Sequence, residues 1–288
     1  MTKLPISCFI IAKNEADRIV QTIRSVISWV DEVIVVDSES TDDTVSTALA
    51  ENCRVITQSW LGFGPQKRFA EEQCRNDWVL NLDADEVVTP ELRQEIAALF
   101  SASSPDKIAY GFPVNLVYPG AGRPRRLARD HWYVRLYNRR AVRFRDSPVH
   151  DAVVMGCHSP GALRASAFHH SYRTYADLKH KLAERMLLSA RYAEAPQRTK
   201  LAIRLIVELP INFFKYYFVR RHFTGGIDGI RYSWIQASYR HLRIAHMWRG
   251  CNASNQTVNA TEDNQDDQQL GEPVSKHHLA GKLCAERA

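Results

Sequence analysis

Four short apolar runs, each followed by a polar turn and a helical pattern, organise the first hundred residues. Ile6-Ser7-Cys8-Phe9-Ile10-Ile11, Val33-Ile34-Val35-Val36, Arg54-Val55-Ile56-Thr57 and Trp78-Val79-Leu80-Asn81-Leu82 have the length and continuity of buried parallel strands. Between the first two, Ile19, Ile23, Val26, Ile27 and Val30 recur at helical spacing. Further helices are predicted over roughly residues 42–51 and 65–76, the first capped by a Ser/Thr/Asp cluster. Thr89-Pro90 supplies an N-cap and a first-turn proline for another. This alternation predicts an α/β fold, a mostly parallel sheet flanked by helices. Residues 109–114 and 133–138 read as two later strands, the second ending in a turn at Asn138-Arg139-Arg140.

From Tyr175 the period becomes helical, with Tyr175, Leu178, Leu182 and Met186 on a face opposite Lys179, Lys181 and Arg185. Residues 201–219, LAIRLIVELPINFFKYYFV, come closest to a membrane span, but Arg204, Glu208, Pro210 and Lys215 interrupt them. An amphipathic helix rich in Phe and Tyr and followed by Arg220-Arg221 suits either a membrane interface or packing on the preceding domain. Gly225-Gly226-Ile227-Asp228-Gly229 breaks that helix, and the pattern resumes over 230–249. After Gly250, NASNQTVNATEDNQDDQQ has no aromatic residue and one valine, which predicts a disordered tail. The chain therefore divides into an α/β domain over 1–170, with halves 1–100 and 101–170, a helical extension over 171–250, and a tail over 251–288.

Charge and chemistry sharpen this outline. Hydrophobic residues make up 45% of the chain, enough for an ordinary globular core. The net charge of +6 is unevenly spread: residues 121–150 hold nine Arg, no Lys, and only Asp130 and Asp146 as acids. Such a body favours an anionic partner. Six cysteines without a C-x-x-C pair, and an N-terminus that enters a strand with no apolar signal, predict free thiols in a reducing cytoplasm. Three N-x-S/T sequons (Asn252, Asn255, Asn259) crowd the Asn-rich tail and read as chance.

Two strand ends carry carboxylates, Asp37 after the second and Asp83, Asp85 and Glu86 after the fourth. Ligands of open α/β sheets bind at that edge. If strand geometry continues, Asp83 and Asp85 point the same way and repel unless a cation lies between them. Mg²⁺ or Mn²⁺ suits such oxygen ligands and takes substrate phosphates as well. There is no G-x-G-x-x-G after the first strand and no G-x-x-x-x-G-K-[ST] anywhere, which disfavours dinucleotide and P-loop sites.

The stretches I-x-x-x-N-E after strand one, V-V-D-S-x-S-x-D-x-T after strand two, and D-W-V-L-x-L-D-A-D-E together resemble the inverting family 2 glycosyltransferases of GT-A (Rossmann-like) fold. They are most similar to the bacterial branch that adds a sugar, typically β-linked glucose, to the inner core of lipopolysaccharide or lipooligosaccharide. The resemblance is strong over residues 5–100 and rests on shorter motifs to about residue 250. It implies that Ala12, Asn14, Glu15 and Asp37 line the nucleoside pocket of a UDP-sugar donor, with Lys67 near the base or phosphates. It also implies Asp83 and Asp85 at a divalent metal, with His169 of the H-x-S-Y-like stretch as metal or phosphate ligand. The relatives usually carry Asn where this chain has Arg68, and V-H-E where it has Val149-His150-Asp151.

An inverting transfer needs one base beside the acceptor hydroxyl, and a carboxylate is the usual choice. Asp151 is therefore favoured, with His150 as the alternative base or an acceptor contact. Arg125 and Arg126, in an Arg-rich loop, are candidates for phosphate on the acceptor, because Arg pairs bidentately with phosphate. The implied partners are a UDP-sugar, a lipid A-core acceptor and an anionic membrane surface, at the cytoplasmic face of the inner membrane, and no nucleic acid. Two other readings compete. A nucleotidyltransferase also uses strand-end carboxylates with a metal, but IIAKNEADRI lacks its usual Gly/Arg/Lys-rich loop. A nucleic-acid-binding module is suggested only by basic charge, and no motif supports it.

Overall fold

The computed structural model describes residues 3–101, 105–148, 151–191 and 198–266. Its first half alternates as the apolar runs predict: β1 (Leu4–Ala12), α1 (Ile19–Val26), β2 (Val30–Asp37), α2 (Thr44–Ala50), β3 (Arg54–Thr57), α3 (Phe63–Glu72) and β4 (Trp78–Asp83). Then come β5 (Glu86–Val88), α4 (Pro90–Leu99), β6 (Ala109–Leu116), β7 (His131–Asn138) and four short strands, β8 (Arg143–Phe144), β9 (Val153–Val154), β10 (Gly161–Ala162) and β11 (Ala167–His169). Three helices follow, α5 (Tyr175–Arg191), α6 (Arg198–Phe214) and α7 (Gly226–Asp266).

Nine strands form one sheet in the order β3-β2-β1-β4-β7-β6-β11-β5, with β10 also on β6. β3, β2, β1 and β4 run parallel, and β11 and β10 are parallel to β6. The antiparallel members are β7, between β4 and β6, and β5 at the far edge. The expected mostly parallel sheet with flanking helices is thus the fold observed.

Alternation along β1 and β4 sorts the two faces. Ile6, Cys8, Ile10, Leu80 and Leu82 pack with Ile19, Ile23, Leu92 and Ile96 of α1 and α4. Phe9 and Val79 face the other way, onto Ala70 of α3 and Phe144 of β8. Asn81 and Asp83 share the parity of Val79, so they belong to the α3 face. Thr89 caps α4 as the sequence indicates, its hydroxyl accepting from the Leu92 amide at 3.2 Å.

The C-terminal region departs from expectation in one respect. Instead of losing structure at 251, α7 runs on to Asp266, while residues 267–288 lie outside the described residues. Extending an existing helix needs no nucleation, so a polar stretch with little core-forming capacity can still continue one. No helix among the described residues is long and apolar enough to cross a membrane.

Candidate active site

Strand register brings the carboxylates to one level. Ala12 pairs with Asp37 across β1–β2, and Ile11 with Asp83 across β1–β4. At the β1–β2 corner Asp37 is buried and accepts from the Ser40 amide at 2.9 Å and the Ser40 hydroxyl at 2.5 Å. Asn14 adopts a left-handed φ of 56°, which turns its amide to the Ser40 hydroxyl at 2.8 Å. Its side-chain oxygen accepts from the Thr41 amide at 2.8 Å. Glu15 pairs with Arg18, and with Arg173 at 3.3 Å. Burial raises the Glu15 carboxyl above its usual range against the pull of Arg18. Ala12, Asn14, Glu15 and Asp37 are therefore gathered at one corner.

Lys67 lies among the carboxylates of the site. Its ammonium, 1% exposed, lies 2.9 Å from Asp83 and 2.7 Å from Asp151. Two glycines make this reach possible. Gly62 has φ +100°, and a Cβ there would lie 2.6 Å from Pro148; at Gly64 a Cβ would lie 2.2 Å from the Arg145 carbonyl oxygen. With no Cβ in the way, the Phe63 and Gly64 amides donate to the Pro148 and Ser147 carbonyls, each at 3.1 Å. The segment leading to Asp151 thereby lies on the start of α3, over Lys67. Val149 and His150 fall outside the described residues.

Arg135 is a site residue that pattern reading missed. On β7, Leu136 pairs with Tyr110 and Val134 with Gly111, so Arg135 is the extra residue of a β-bulge. Bulges re-aim a side chain. Here the guanidinium reaches Asn81 at 2.6 Å, Asp83 at 2.8 Å and Glu86 at 2.5 Å. Burial opposes ionisation of Asp83, but Arg135 and Lys67 outweigh it and hold the carboxyl far below its usual range. Glu86, wholly buried, is pushed upward by burial despite Arg135. The signal available in sequence was a charged residue inside the alternating strand YVRLY.

β4 ends at Asp83, and Ala84-Asp85 turns into β5, so the two aspartates do not share one strand face as expected. Asp85 lies 3.3 Å from His169 Nε2 and 3.5 Å from Arg18, and its carbonyl accepts from the His170 amide at 2.8 Å. Burial works against both charges of the Asp85–His169 pair, yet each partner prevails over it: the Asp85 carboxyl is lowered and the imidazole raised.

Among the described residues no three His, Cys, Asp or Glu side chains converge to hold a metal ion. The reason is visible at Asp83, whose two oxygens are taken by Lys67 and Arg135. Asp85 and His169 do converge. One oxygen and one nitrogen donor suit a divalent cation that draws its remaining ligands from phosphate and water.

Of the acceptor candidates, Arg125 is corrected by the structure. It is buried, pairs bidentately with Asp130 at 2.7 and 2.9 Å, and donates to the Arg220 carbonyl, so it anchors its loop. The acid that neutralises it lies only five residues on. Arg126 is exposed, with its carbonyl accepting from Thr224. A cavity of about 430 Å³, lined by Asp83, Trp132, Tyr133, Asp151 and His169, opens beside the Lys67 cluster. An open carboxylate, buried cations and an Asp–His pair around one cavity are equipped to remove a proton on one side and receive negative charge on the other.

Comparison with known proteins agrees with this chemistry. The sequence model of Glycosyl transferase family 2 matches residues 7–167. An uncharacterized glycosyltransferase of Rickettsia felis is 41% identical over 254 residues, covering 84% of this chain and 89% of the relative. The lipopolysaccharide core biosynthesis glycosyltransferase LpsC of Rhizobium meliloti is 29% identical over 269 residues, covering 86% of this chain and 93% of the relative. Among solved structures, glucosyl-3-phosphoglycerate synthase from Mycobacterium tuberculosis with Mn²⁺ and UDP-glucose is 27% identical over 39% of this chain and 43% of that one, at a TM-score of 0.32.

Proposed function

The chain belongs to glycosyl transferase family 2, and from that premise we propose that it transfers glucose from UDP-glucose, with inversion, to the inner core of lipopolysaccharide or lipooligosaccharide. The observation that carries the reading is Asp151, poised on Lys67 at the mouth of the 430 Å³ cavity. Among the described residues only Oδ2 of Asp151 is engaged, so Oδ1 is free to accept the proton of an acceptor hydroxyl. The acceptor's hydroxyl oxygen, as it gives up that proton, attacks the anomeric carbon from the face opposite the departing nucleoside diphosphate, and the bond to the diphosphate breaks as the new one forms. Lys67 holds the carboxylate in place. The nucleoside belongs at the Ala12, Asn14, Glu15 and Asp37 corner.

A divalent cation, Mg²⁺ or Mn²⁺, would be held by Asp85 and His169, with Asp83 joining if Lys67 or Arg135 releases it, and would draw charge from the leaving diphosphate. The name of the Rhizobium relative supports the lipopolysaccharide core as acceptor. Donor identity is the finer part of the reading. Purified protein is tested with UDP-glucose, UDP-galactose and UDP-N-acetylglucosamine on core-truncated lipopolysaccharide, with and without Mn²⁺. Transfer from UDP-glucose is expected; transfer from another donor alone revises the sugar, and transfer from none overturns the function.

The same proposal includes an anionic membrane surface at the cytoplasmic face as the protein's location. Ile206 and Ile227 are 78% and 84% exposed, and Ile203, Phe214, Phe218, Ile230 and Trp234 continue that apolar surface over α6, the turn after it and α7. Residues 199–249 carry nine Lys or Arg against Glu208 and Asp228. Apolar side chains beside excess basic charge are what an interfacial helix pair presents to anionic lipid.

A further inference from the structure

The 430 Å³ cavity does not end at His169. It shares Tyr133 and His169 with a second cavity of about 340 Å³, which shares Arg185, Arg220 and Tyr232 with a third of about 450 Å³ between the C-terminal helices. The result is a groove leading from the reacting centre into the helical extension. Most of its far wall comes from α5, α7 and the π-helical turn Lys215–Val219, beyond the 7–167 span of the family match.

Four guanidiniums line that far end: Arg185, Arg220, Arg240 and Arg243. Among the described residues none of them has a carboxylate partner, whereas other arginines here are neutralised, such as Arg18, Arg125, Arg135, Arg143 and Arg173. Among the described residues the Arg240 guanidinium contacts the Tyr216 hydroxyl, at 3.1 Å, and the ring of the same tyrosine. Nε of Arg243 is buried with no hydrogen-bond partner among the described residues. Among the described residues the lining of the far cavity holds no Asp or Glu. Tyrosines supply the rest of its character, Tyr172, Tyr216 and Tyr239 giving flat faces of the kind that pack on sugar rings.

We infer that this groove is a subsite for a phosphate group carried by the acceptor saccharide, some distance from the hydroxyl that is glycosylated. The inference rests on the acceptor assignment made above. Unpaired guanidiniums suit phosphate, whose ~2 negative charges and several acceptor oxygens they match better than a single carboxylate would. A saccharide is favoured over a lipid headgroup because the groove is continuous with the reacting cavity. The exposed apolar surface also points elsewhere: within the π-helical turn, Tyr216 is buried toward the groove while Phe218 and Val219 are exposed.

The test is direct binding, which does not depend on turnover. Deacylated core oligosaccharide, before and after removal of its phosphates with aqueous hydrofluoric acid, is titrated calorimetrically into wild type, Arg185→Gln and Arg240→Gln. Both substituted side chains are exposed, so folding is not at stake. Each variant should weaken binding of the phosphorylated form about tenfold, the scale of one charged hydrogen bond. Neither should change the weaker binding of the dephosphorylated form. Equal binding of the two forms by wild type, or unchanged affinity in both variants, overturns the inference. So does loss of pelleting with phosphatidylglycerol vesicles when oligosaccharide affinity is unaltered, an outcome that assigns the arginines to lipid. Phosphate-dependent binding without transfer from any UDP-sugar would instead sink the function proposed above and leave the subsite standing.

Discussion

The ammonium of Lys67 lies 2.7 Å from a carboxylate oxygen of Asp151, inside a site where it also holds Asp83 at 2.9 Å. One buried cation therefore ties the proposed base to the strand-end aspartate. Asp151→Asn keeps the size of the side chain and its bond to Lys67 but removes the basic oxygen. Turnover should fall by about 10²–10⁴ while UDP-sugar affinity, measured by calorimetry, stays near wild type. Asp151→Glu, the residue typical of the resembling branch, should retain substantial turnover. Near-normal turnover of the Asn variant combined with loss in His150→Ala would move the base to the histidine.

Asp85→Asn should abolish transfer with only a modest fall in melting temperature, since it keeps the size of the side chain while removing the charge that a cation would need. Among the described residues, the Asp85–His169 pair brings an oxygen and a nitrogen donor together at the site. Activity in wild type should disappear in excess EDTA and return with Mn²⁺ or Mg²⁺. Full activity in EDTA removes the cation from the reading.

Arg135 carries a structural burden as well. Replacing it with Met leaves the wholly buried Glu86, and the partly exposed Asp83 beside it, without their shared cation. Removing one partner of a buried pair costs about 3–5 kcal/mol. For a chain of this size that is roughly a 6–20 °C fall in melting temperature. Combining Arg135→Met with Glu86→Gln should recover part of the loss, and a double variant as unstable as the single would show that packing, not charge, was lost.

Stability should also depend on acid through His222. This histidine is buried, bonded through Nδ1 to the Tyr118 hydroxyl at 2.6 Å and stacked on Tyr232. Burial, then the charge of Arg125, pushes its pKa down to about 3. The native state keeps it neutral where the unfolded chain, with an ordinary value of ~6.5, takes up a proton. Its contribution is complete above pH ~6.5 and is lost as pH falls toward 3, at up to about 1.4 kcal/mol per unit. Between pH 6.5 and 5, before most carboxylates titrate, the melting temperature of wild type should fall more steeply than that of His222→Gln. Parallel curves would rule out a role for His222.

Ile206→Asp with Phe214→Asp should reduce pelleting with phosphatidylglycerol vesicles by at least about tenfold, because each large apolar side chain contributes on the order of 1 kcal/mol or more at an interface. High salt should weaken wild-type pelleting too. Unchanged partitioning would mean that this face meets something other than lipid.

The β1–β4 core and its strand-end acids were legible because parallel strands buried on both faces must be short, continuous and apolar, and the acids interrupt that pattern visibly. Lys67 was legible as a site residue but its pairing with Asp151 was not, since that depends on Gly62 and Gly64 admitting a segment more than eighty residues away. Arg135, though a charge inside an alternating strand, could not be given a direction, because period-2 reasoning assigns faces only while register holds, and a bulge breaks it there. Arg125 misled in the opposite sense. An Arg-rich loop reads as a phosphate contact, and spacing alone does not tell that Asp130, five residues on, draws one of its members inside.

The pairing of β5 with β11 sets an order of events during synthesis. Glu86 and Val88, almost adjacent to β4 in the chain, find their partners only at His169 and Ala167. A ribosome-bound chain that has emerged as far as α4 already contains β1–β4 and everything that lines up Asp37 with Asp83. It holds Val87 and Val88 with no strand to cover them, and Asp85 without its histidine. Contacts this distant in sequence form late. For the time needed to make some eighty further residues, several seconds at about 5–20 residues per second, the nascent enzyme would carry an open edge at its future catalytic corner. A chaperone that binds extended apolar segments should therefore crosslink to residues 86–88 in stalled chains ending before Ala167, and lose them once β11 is out.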